Sequence, residues 1–186
     1  MKSSKIIAGV DEVGRGSLIG SVYSAAVILD KKYRIDNLMD SKKISDKKRR
    51  ILANQIVMRS LSVAIGIATK DEIDSINIHQ ATLLSMKRAI SNLNITPDSV
   101  YVDGLYCPDI TISCNAIVKG DEKIAEISAA SIIAKVARDN EMIYLNKFFE
   151  IYQFDKNKGY ATPKHLETIS CLGKTIHHRE SFLPIK

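Results

Sequence analysis

Long apolar runs are missing from this sequence. None approaches the roughly eighteen consecutive residues that a membrane helix needs. The N-terminal Met1-Lys2-Ser3-Ser4-Lys5 leads into a strand-like segment rather than a signal-peptide core. Together these place the expected site of action in the cytoplasm. Cysteine is scarce: Cys107, Cys114 and Cys171 are odd in number and too few for a disulfide framework. No C-x-x-C pair exists to begin a zinc site with His177 and His178, so free, partly buried thiols are expected. Internal repeats, low-complexity stretches and linkers are also absent. The 186 residues therefore read as a single domain, long enough to bury a core without staples. There is no Walker A lysine motif. The spacing from Gly14-x-Gly16 to Gly20 is one residue too long for a dinucleotide fingerprint, and a strand pattern follows where a helix would be needed.

What is present is an ordinary globular balance, 45% hydrophobic and 26% charged, with a net charge of +6 that leans towards polyanions. The charge is concentrated. Residues 42–50 carry Lys42, Lys43, Lys47, Lys48, Arg49 and Arg50 against the single acid Asp46. Such a run is commonly a solvated helix face and becomes a binding surface only beside a site that uses it.

Periodicity places strands at 5–10, 21–29, 61–68, 99–103 and about 111–118. Ser45 before Asp46 predicts an N-capped basic helix running to about residue 59. Thr69 with Glu72 and Asn77 with Gln80 resemble capping boxes, predicting a short turn and then a helix over 78–93 that Pro97 closes. A long helix is expected over 124–150, its Ile127-Ser128-Ala129-Ala130-Ser131 stretch suited to close packing on a sheet. Thr162-Pro163 starts a last helix and Gly173 stops it. Three leading strands followed by alternating helices and strands describe a mixed α/β sheet with helices on its faces.

Four acids fall at or just after strand ends: Asp11, Glu12, Asp103 and Asp121. If the first and fourth strands are parallel neighbours, these acids converge at the carboxyl end of the sheet, where open α/β sheets bind ligands. Crowded carboxylates need a counter-charge, and Mg²⁺ suits a few oxygen ligands open to phosphate. Two such ions, about 3.5–4 Å apart, can activate water and stabilise the leaving oxygen of a phosphodiester. Each acid also has an ordinary reading. Asp103-Gly104 is a turn pattern, Asp121 could cap the helix behind it, and Asp11 and Glu12 could be surface acids. Adjacent strand residues point to opposite faces, so Asp11 and Glu12 share one site only if the strand bends or Glu12 acts through its backbone or a water.

The wording around these acids is more specific than their spacing. Asp11-Glu12-Val13-Gly14-Arg15-Gly16 resembles the signature of the ribonuclease HII (type 2 ribonuclease H) family. The resemblance continues through Asp40-Ser41-Lys42-Lys43, Asn77-Ile78 with Ala81-Thr82, and Val102-Asp103-Gly104. It then runs through Val118-Lys119-Gly120-Asp121, the block Ile127 to Val136, Arg138-Asp139, Lys158-Gly159-Tyr160 and His178-Arg179-Glu180-Ser181-Phe182. These blocks span nearly the whole chain. The resemblance implies a ribonuclease-H-like fold: a mixed five-stranded sheet flanked by helices, with a helical C-terminal extension. It implies that Asp11, Glu12, Asp103 and Asp121 form a catalytic centre dependent on Mg²⁺ or Mn²⁺, with Asp139 structural on the long helix. By the same resemblance Gly14, Arg15 and Gly16 touch a ribose 2′-hydroxyl largely through backbone, and Tyr160 packs on the sugar beside the scissile phosphate. Lys42 and Lys43 would lie near the nucleic-acid backbone, where cations add salt-dependent affinity. The implied substrates are RNA–DNA hybrids and duplex DNA carrying single ribonucleotides, cut 5′ of the ribonucleotide to leave a 3′-hydroxyl and a 5′-phosphate.

Glycines let a backbone approach a sugar closely, and the 2′-hydroxyl lies in the shallow minor groove of an A-like duplex. The chain departs from the family pattern at Ser17 and Ser21, where prolines are usual, predicting a looser recognition loop. Asn157 stands where histidine is common, and Ala161 where glycine is common. Little follows Phe182, so no sliding-clamp-binding tail is evident, and a monomer is expected. Two rivals of other kinds remain. A nucleic-acid-binding module that has lost catalysis would be expected to lack one of the acids. A junction resolvase would have no use for Gly14-Arg15-Gly16 with Tyr160.

Overall fold

The computed structural model describes residues 5–38 and 44–183. Lys42 and Lys43, with Asp40 and Ser41, lie outside the described residues. The strands are β1 (Ile7–Val13), β2 (Val22–Leu29), β3 (Ser60–Ala68), β4 (Ser99–Asp103) and β5 (Cys114–Ile117), joined in one sheet of order β3-β2-β1-β4-β5. β1 is antiparallel to β2, and β2 to β3, whereas β4 runs parallel to β1 and β5 parallel to β4. The helices are α1 (Asp46–Arg59), α2 (Lys70–Ser91), α3 (Ala125–Asn146), the short α4 (Phe154–Asn157) and α5 (Pro163–Leu172). This is the mixed five-stranded, helix-flanked arrangement of ribonuclease-H-like proteins, with helices at the C-terminal end.

The two faces are sorted by strand alternation. Ala25 and Val27 point to α1 and α3, where they meet Leu52, Ile56, Ala129 and Ile133. Ala8, Val10, Ala26, Val100 and Val102 point to α2, where they meet Met86, Ala89 and Ile90. Gly9 decides how close α3 can come: a Cβ there would lie 2.1 Å from the Glu126 carbonyl carbon, so only glycine lets the start of α3 rest on β1. That contact is two residues before Asp11, on the same face. Among the described residues, no helix is long and apolar enough to cross a membrane.

The caps are where the side chains place them. Ser45 accepts from the Lys48 N–H, Thr69 and Glu72 form a reciprocal capping box, and Thr162 caps α5 ahead of Pro163. Four boundaries differ from expectation. β1 continues past residue 10 to Val13, because β2 supplies partners as far as Val13↔Tyr23. β5 is confined to Cys114–Ile117, matching the few residues β4 offers this edge strand. The long helix stops at Asn146, and the chain turns so that Phe149 can pack on Phe154 and His177. The turn before residue 78 is itself helical and joins α2 across a kink at Asn77 (φ 67°), whose Oδ1 accepts from the N–H groups of His79 and Gln80. Cys107 and Cys114 are partly buried free thiols as expected, but Cys171 is exposed.

Candidate active site

Strand register brings two of the four acids side by side. Val10 pairs with Val102 across the parallel β1–β4 ladder, so the next residue on each strand is an aspartate. Both valines face α2, and alternation therefore turns Asp11 and Asp103 to the α3 face. There the Ser131 hydroxyl of α3 lies close enough to the Asp11 carboxylate to favour its charged form. Asp11 Oδ1 accepts from the Glu12 N–H at 2.7 Å, and Asp103 Oδ1 accepts from the Gly120 N–H at 2.7 Å. The parallel β1–β4 pair and the Gly120 contact together make this one corner of the sheet.

Glu12 is different. β1 stays regularly paired through Val13, so the strand does not bend and Glu12 leaves the opposite face from Asp11. Its carboxylate nevertheless lies within electrostatic reach of both aspartates at the sheet's end. Burial, then the charge of Glu12, then that of Asp103 push the Asp11 carboxyl well above the usual carboxylate range, partly offset by Ser131. Burial and Asp103 raise Glu12 too, against the opposing guanidinium of Arg15 at 3.6 Å. Asp121 is buried in the 3-10 turn Gly120–Glu122, one residue after the N–H that binds Asp103. It does not cap α3, whose N-cap is Ile124. The four acids thus gather at one end of the sheet, with Asp11, Glu12 and Asp103 coupled electrically. Among the described residues, no group of three or more His, Cys, Asp or Glu side chains stands ready-made to hold a metal ion. Asp139, read from sequence as structural, is buried on α3 and paired with Lys135 at 2.8 Å.

The segment after β1 folds against Tyr160. A Cβ on Gly16 would lie 3.7 Å from the Tyr160 ring. Gly159, at φ +81°, sits so tightly on the segment that a Cβ would come 2.4 Å from Ile19 and 2.5 Å from the Ser17 hydroxyl, and its carbonyl accepts from the Leu18 N–H. Two buried arginines hold the loop from beneath. Arg138 donates to Ser17 Oγ (2.9 Å) and the Ile19 carbonyl (2.7 Å). Arg179 donates to the carbonyls of Gly20 (2.9 Å), Arg15 (2.9 Å) and Ser21 (3.2 Å). Burial, and then the neighbouring Arg138, push Arg179 down to about 9, still charged at neutral pH. The looser loop expected from Ser17 is corrected here: the Ser17 side chain is fully buried, donates to the Ile19 carbonyl and receives Arg138. Serine replaces a rigid ring with a pinned hydrogen bond. Neither arginine was singled out from sequence, although both lie in recognised blocks, because a buried arginine and a surface one are written with the same letter.

Tyr160 is held from behind by a histidine pair. His165 Nδ1 lies 2.9 Å from the Tyr160 carbonyl, and the two Nε2 atoms of His165 and His178 are 3.1 Å apart. Both rings are buried, and His178 is pushed down to about 4, by burial first and then by His165. Its nitrogens are occupied by His165 and Thr175. The unfolded chain takes up a proton on this imidazole near pH ~6.5, whereas the folded chain refuses it until about 4. Stability from the pair is therefore complete above the unfolded value and lost as pH falls towards the folded one. Urea unfolding should show a loss of about 2 kcal/mol between pH ~7 and ~5 that His178→Phe removes. A profile equally steep in the variant would assign the loss to other groups.

An acid-tipped parallel strand pair within a β3-β2-β1-β4-β5 sheet is the mark of a ribonuclease-H-type nuclease. Residues 8–183 match the family model of Ribonuclease HII, and the chain belongs to that family. The solved ribonuclease H2 from Pyrococcus horikoshii OT3 is 26% identical with a TM-score of 0.82, over 96% of this chain and 94% of that one. The ribonuclease HII of Archaeoglobus fulgidus, solved in a complex with PCNA, is 27% identical with a TM-score of 0.77, over 95% of each chain. A Bst-RNase HIII in complex with Mn²⁺ shares the fold at 19% identity, with a TM-score of 0.72 over 92% of this chain and 64% of its own.

Of the basic run, the structure separates two kinds of side chain. Arg49 donates to the Ile44 carbonyl and pairs with Asp46, and Arg50 pairs with Asp46 and reaches Asn140. Lys47 and Lys48 are exposed.

Proposed function

We propose that this chain is a single-domain, monomeric endonuclease that cuts the RNA strand of RNA–DNA hybrids and single ribonucleotides embedded in duplex DNA. Cleavage falls 5′ of the ribonucleotide and leaves a 3′-hydroxyl and a 5′-phosphate. The observation that carries the reading is the joining of two features at one end of the sheet. The Asp11–Asp103 pair with Glu12 lies at the tip of β1, and Gly14-Arg15-Gly16, packed on Tyr160, follows it directly in the chain.

The donor set fits a divalent cation. It is made of hard carboxylate oxygens, and burial together with mutual repulsion raises Asp11 and Glu12, so the ionised cluster calls for a counter-charge. Asp11, Asp103 and Asp121 would hold Mg²⁺ or Mn²⁺ through their carboxylates, and Glu12 through its backbone oxygen or a water. When bound, the ion supplies an activated water and charge stabilisation at the leaving oxygen. The chain's own residues do the rest. The Glu12 N–H orients Asp11, and the Gly120 N–H orients Asp103. Gly14, Arg15 and Gly16 present backbone to the 2′-hydroxyl, on a loop that Arg138 and Arg179 keep from shifting. Tyr160, partly exposed, offers its ring to the sugar beside the scissile phosphate. The resemblance to the family assigns those two contacts, and the adjacency of Gly16 and Tyr160 supports them.

Lys42 and Lys43 keep their proposed place near the nucleic-acid backbone on the resemblance alone. Lys48, one helical turn beyond the α1 cap, is offered as a further phosphate contact. Its replacement by alanine should flatten the slope of log affinity against log salt by about one unit, measured by duplex-binding titrations across salt. An unchanged slope would return Lys48 to the solvated face.

The test is cleavage of a DNA duplex carrying one ribonucleotide, with Mg²⁺ or Mn²⁺ and with chelator. Cutting immediately 5′ of the ribonucleotide, abolished by chelator, is the expected result. Binding of the duplex without cutting by either ion would favour the inactive nucleic-acid-binding module instead.

A further inference from the structure

The His165–His178 pair has a hydrogen pattern that geometry alone settles. The Tyr160 carbonyl can only accept, so His165 Nδ1 carries its hydrogen and its Nε2 holds a lone pair. The Thr175 N–H can only donate, at 2.9 Å, so His178 Nδ1 holds a lone pair and its Nε2 carries the hydrogen. The two Nε2 atoms then meet as one donor and one acceptor, with both rings neutral. Everything around the pair suits that state. Tyr152 and Phe154 enclose it with ring faces and edges, and Tyr152 turns its hydroxyl away to the Gly173 carbonyl. The charged or titratable neighbours that act on His178 are Lys174, His177 and His165, all of which oppose a second positive charge.

The pair also joins two parts of the site. On one side, His165 holds the Tyr160 carbonyl. On the other, His178 bridges to Ile19, and its neighbour Arg179 donates its side-chain N–H groups to the carbonyls of Gly20, Ser21 and Arg15. The chain from Tyr160 through His165, His178 and Arg179 to Arg15 is continuous, and it spans the gap between the tyrosine ring and the glycine segment.

From this we infer that His165 and His178 are positioning residues that set the distance between Tyr160 and Gly14-Arg15-Gly16, and with it the discrimination of a lone ribonucleotide from a continuous RNA strand. The inference rests on the function proposed above. A lone ribonucleotide offers a single 2′-hydroxyl and a single RNA-to-DNA junction, so a loosened tyrosine has nothing to compensate for it. A long hybrid presents many equivalent registers.

The experiment compares kcat/KM on a single-ribonucleotide duplex with kcat/KM on an RNA–DNA hybrid for wild type, His165→Phe and His165→Asn. Asparagine keeps a donor in the place of Nδ1 and thus the grip on the Tyr160 carbonyl. The expected result is a roughly tenfold loss for His165→Phe on the single-ribonucleotide duplex alone, with at least half restored by His165→Asn. Equal loss on both duplexes, or loss in step with falling thermal stability, would make the pair merely structural and overturn the inference. Wild type that cuts neither duplex would instead overturn the function reading and this inference with it. A second measurement needs no variant: ¹⁵N-detected histidine spectra of the wild type at neutral pH should show His165 as the Nδ1–H and His178 as the Nε2–H tautomer. An imidazolium at either ring would overturn the arrangement.

Discussion

Replacing Asp103 by asparagine should lower the single-turnover cleavage rate by on the order of a thousandfold while leaving the protein folded and able to bind duplex. The substitution separates charge from shape. Asparagine retains an oxygen for the Gly120 N–H, so the turn that carries Asp121 keeps its anchor. What disappears is the negative charge beside Asp11 and Glu12, and that charge is one of the causes holding both of their carboxyls above the ordinary range. The variant should therefore unfold at the same temperature or higher in chelator, and gain less from added Mn²⁺ than wild type does. Cleavage kinetics with a labelled duplex, and thermal unfolding with and without the ion, measure the two halves. A rate within tenfold of wild type would remove Asp103 from the chemistry. Loss of rate together with loss of fold would mean that the Gly120 contact, not the charge, was what mattered.

Arg179→Ala should be the most destabilising change among the residues around the loop. The guanidinium donates to three carbonyls, those of Gly20, Arg15 and Ser21, from a fully buried position, and it also lies 5.0 Å from the Phe182 ring centroid. Truncation leaves those acceptors without donors where water has little access, an expected cost of about 3 kcal/mol or more. For a domain of this size that corresponds to a fall of roughly 10 °C in melting temperature. Arg179→Lys should recover little, since an ammonium cannot reproduce a planar fork with three directed donors. Differential scanning calorimetry on wild type and both variants would decide it. A drop of only a degree or two would show that solvent reaches the loop carbonyls once the arginine is gone.

The acids, the strand ends on which they sit and the caps at Ser45, Thr69 and Thr162 were legible because each depends on local chemistry. A run of alternating apolar residues ending in an acid, or a hydroxyl three residues ahead of a helical N–H, can be read without knowing the fold. The parallel pairing of β1 with β4 was legible only as a condition, since nothing within 5–13 says which distant segment will lie beside it. The site's supports were illegible for the same reason. Arg138 touches Ser17 across 121 residues, and Arg179 touches Arg15 across 164. His165 and His178 look like two unremarkable histidines until α5 and the C-terminal segment bring their rings together. The expectation for Ser17 failed on this point: proline and serine were compared by backbone stiffness, while the structure holds the serine by a side chain that arrives from elsewhere. Glu12 shows the opposite case. The rule that adjacent strand residues face apart held, and the coupling to Asp11 arises simply because the sheet ends there.

The single bridge between Ile19 and His178 gives the molecule an order of completion. During synthesis β1 emerges before its partner β4, which follows some ninety residues later in the chain. Asp11 and Asp103 can meet as soon as both are out. The loop after β1 must wait for residues 177–179, Arg179 lying 164 residues after Arg15: Gly20 donates to the His177 carbonyl, and Arg179 donates to the carbonyls of Leu18 and Arg15. A nascent chain not yet extended to residues 177–179 would thus hold the acid cluster without the braced segment that we propose to tell ribose from deoxyribose. On that proposal, ribose selectivity is acquired only after the acids have met, and it lasts only while the Ile19–His178 bridge stays closed.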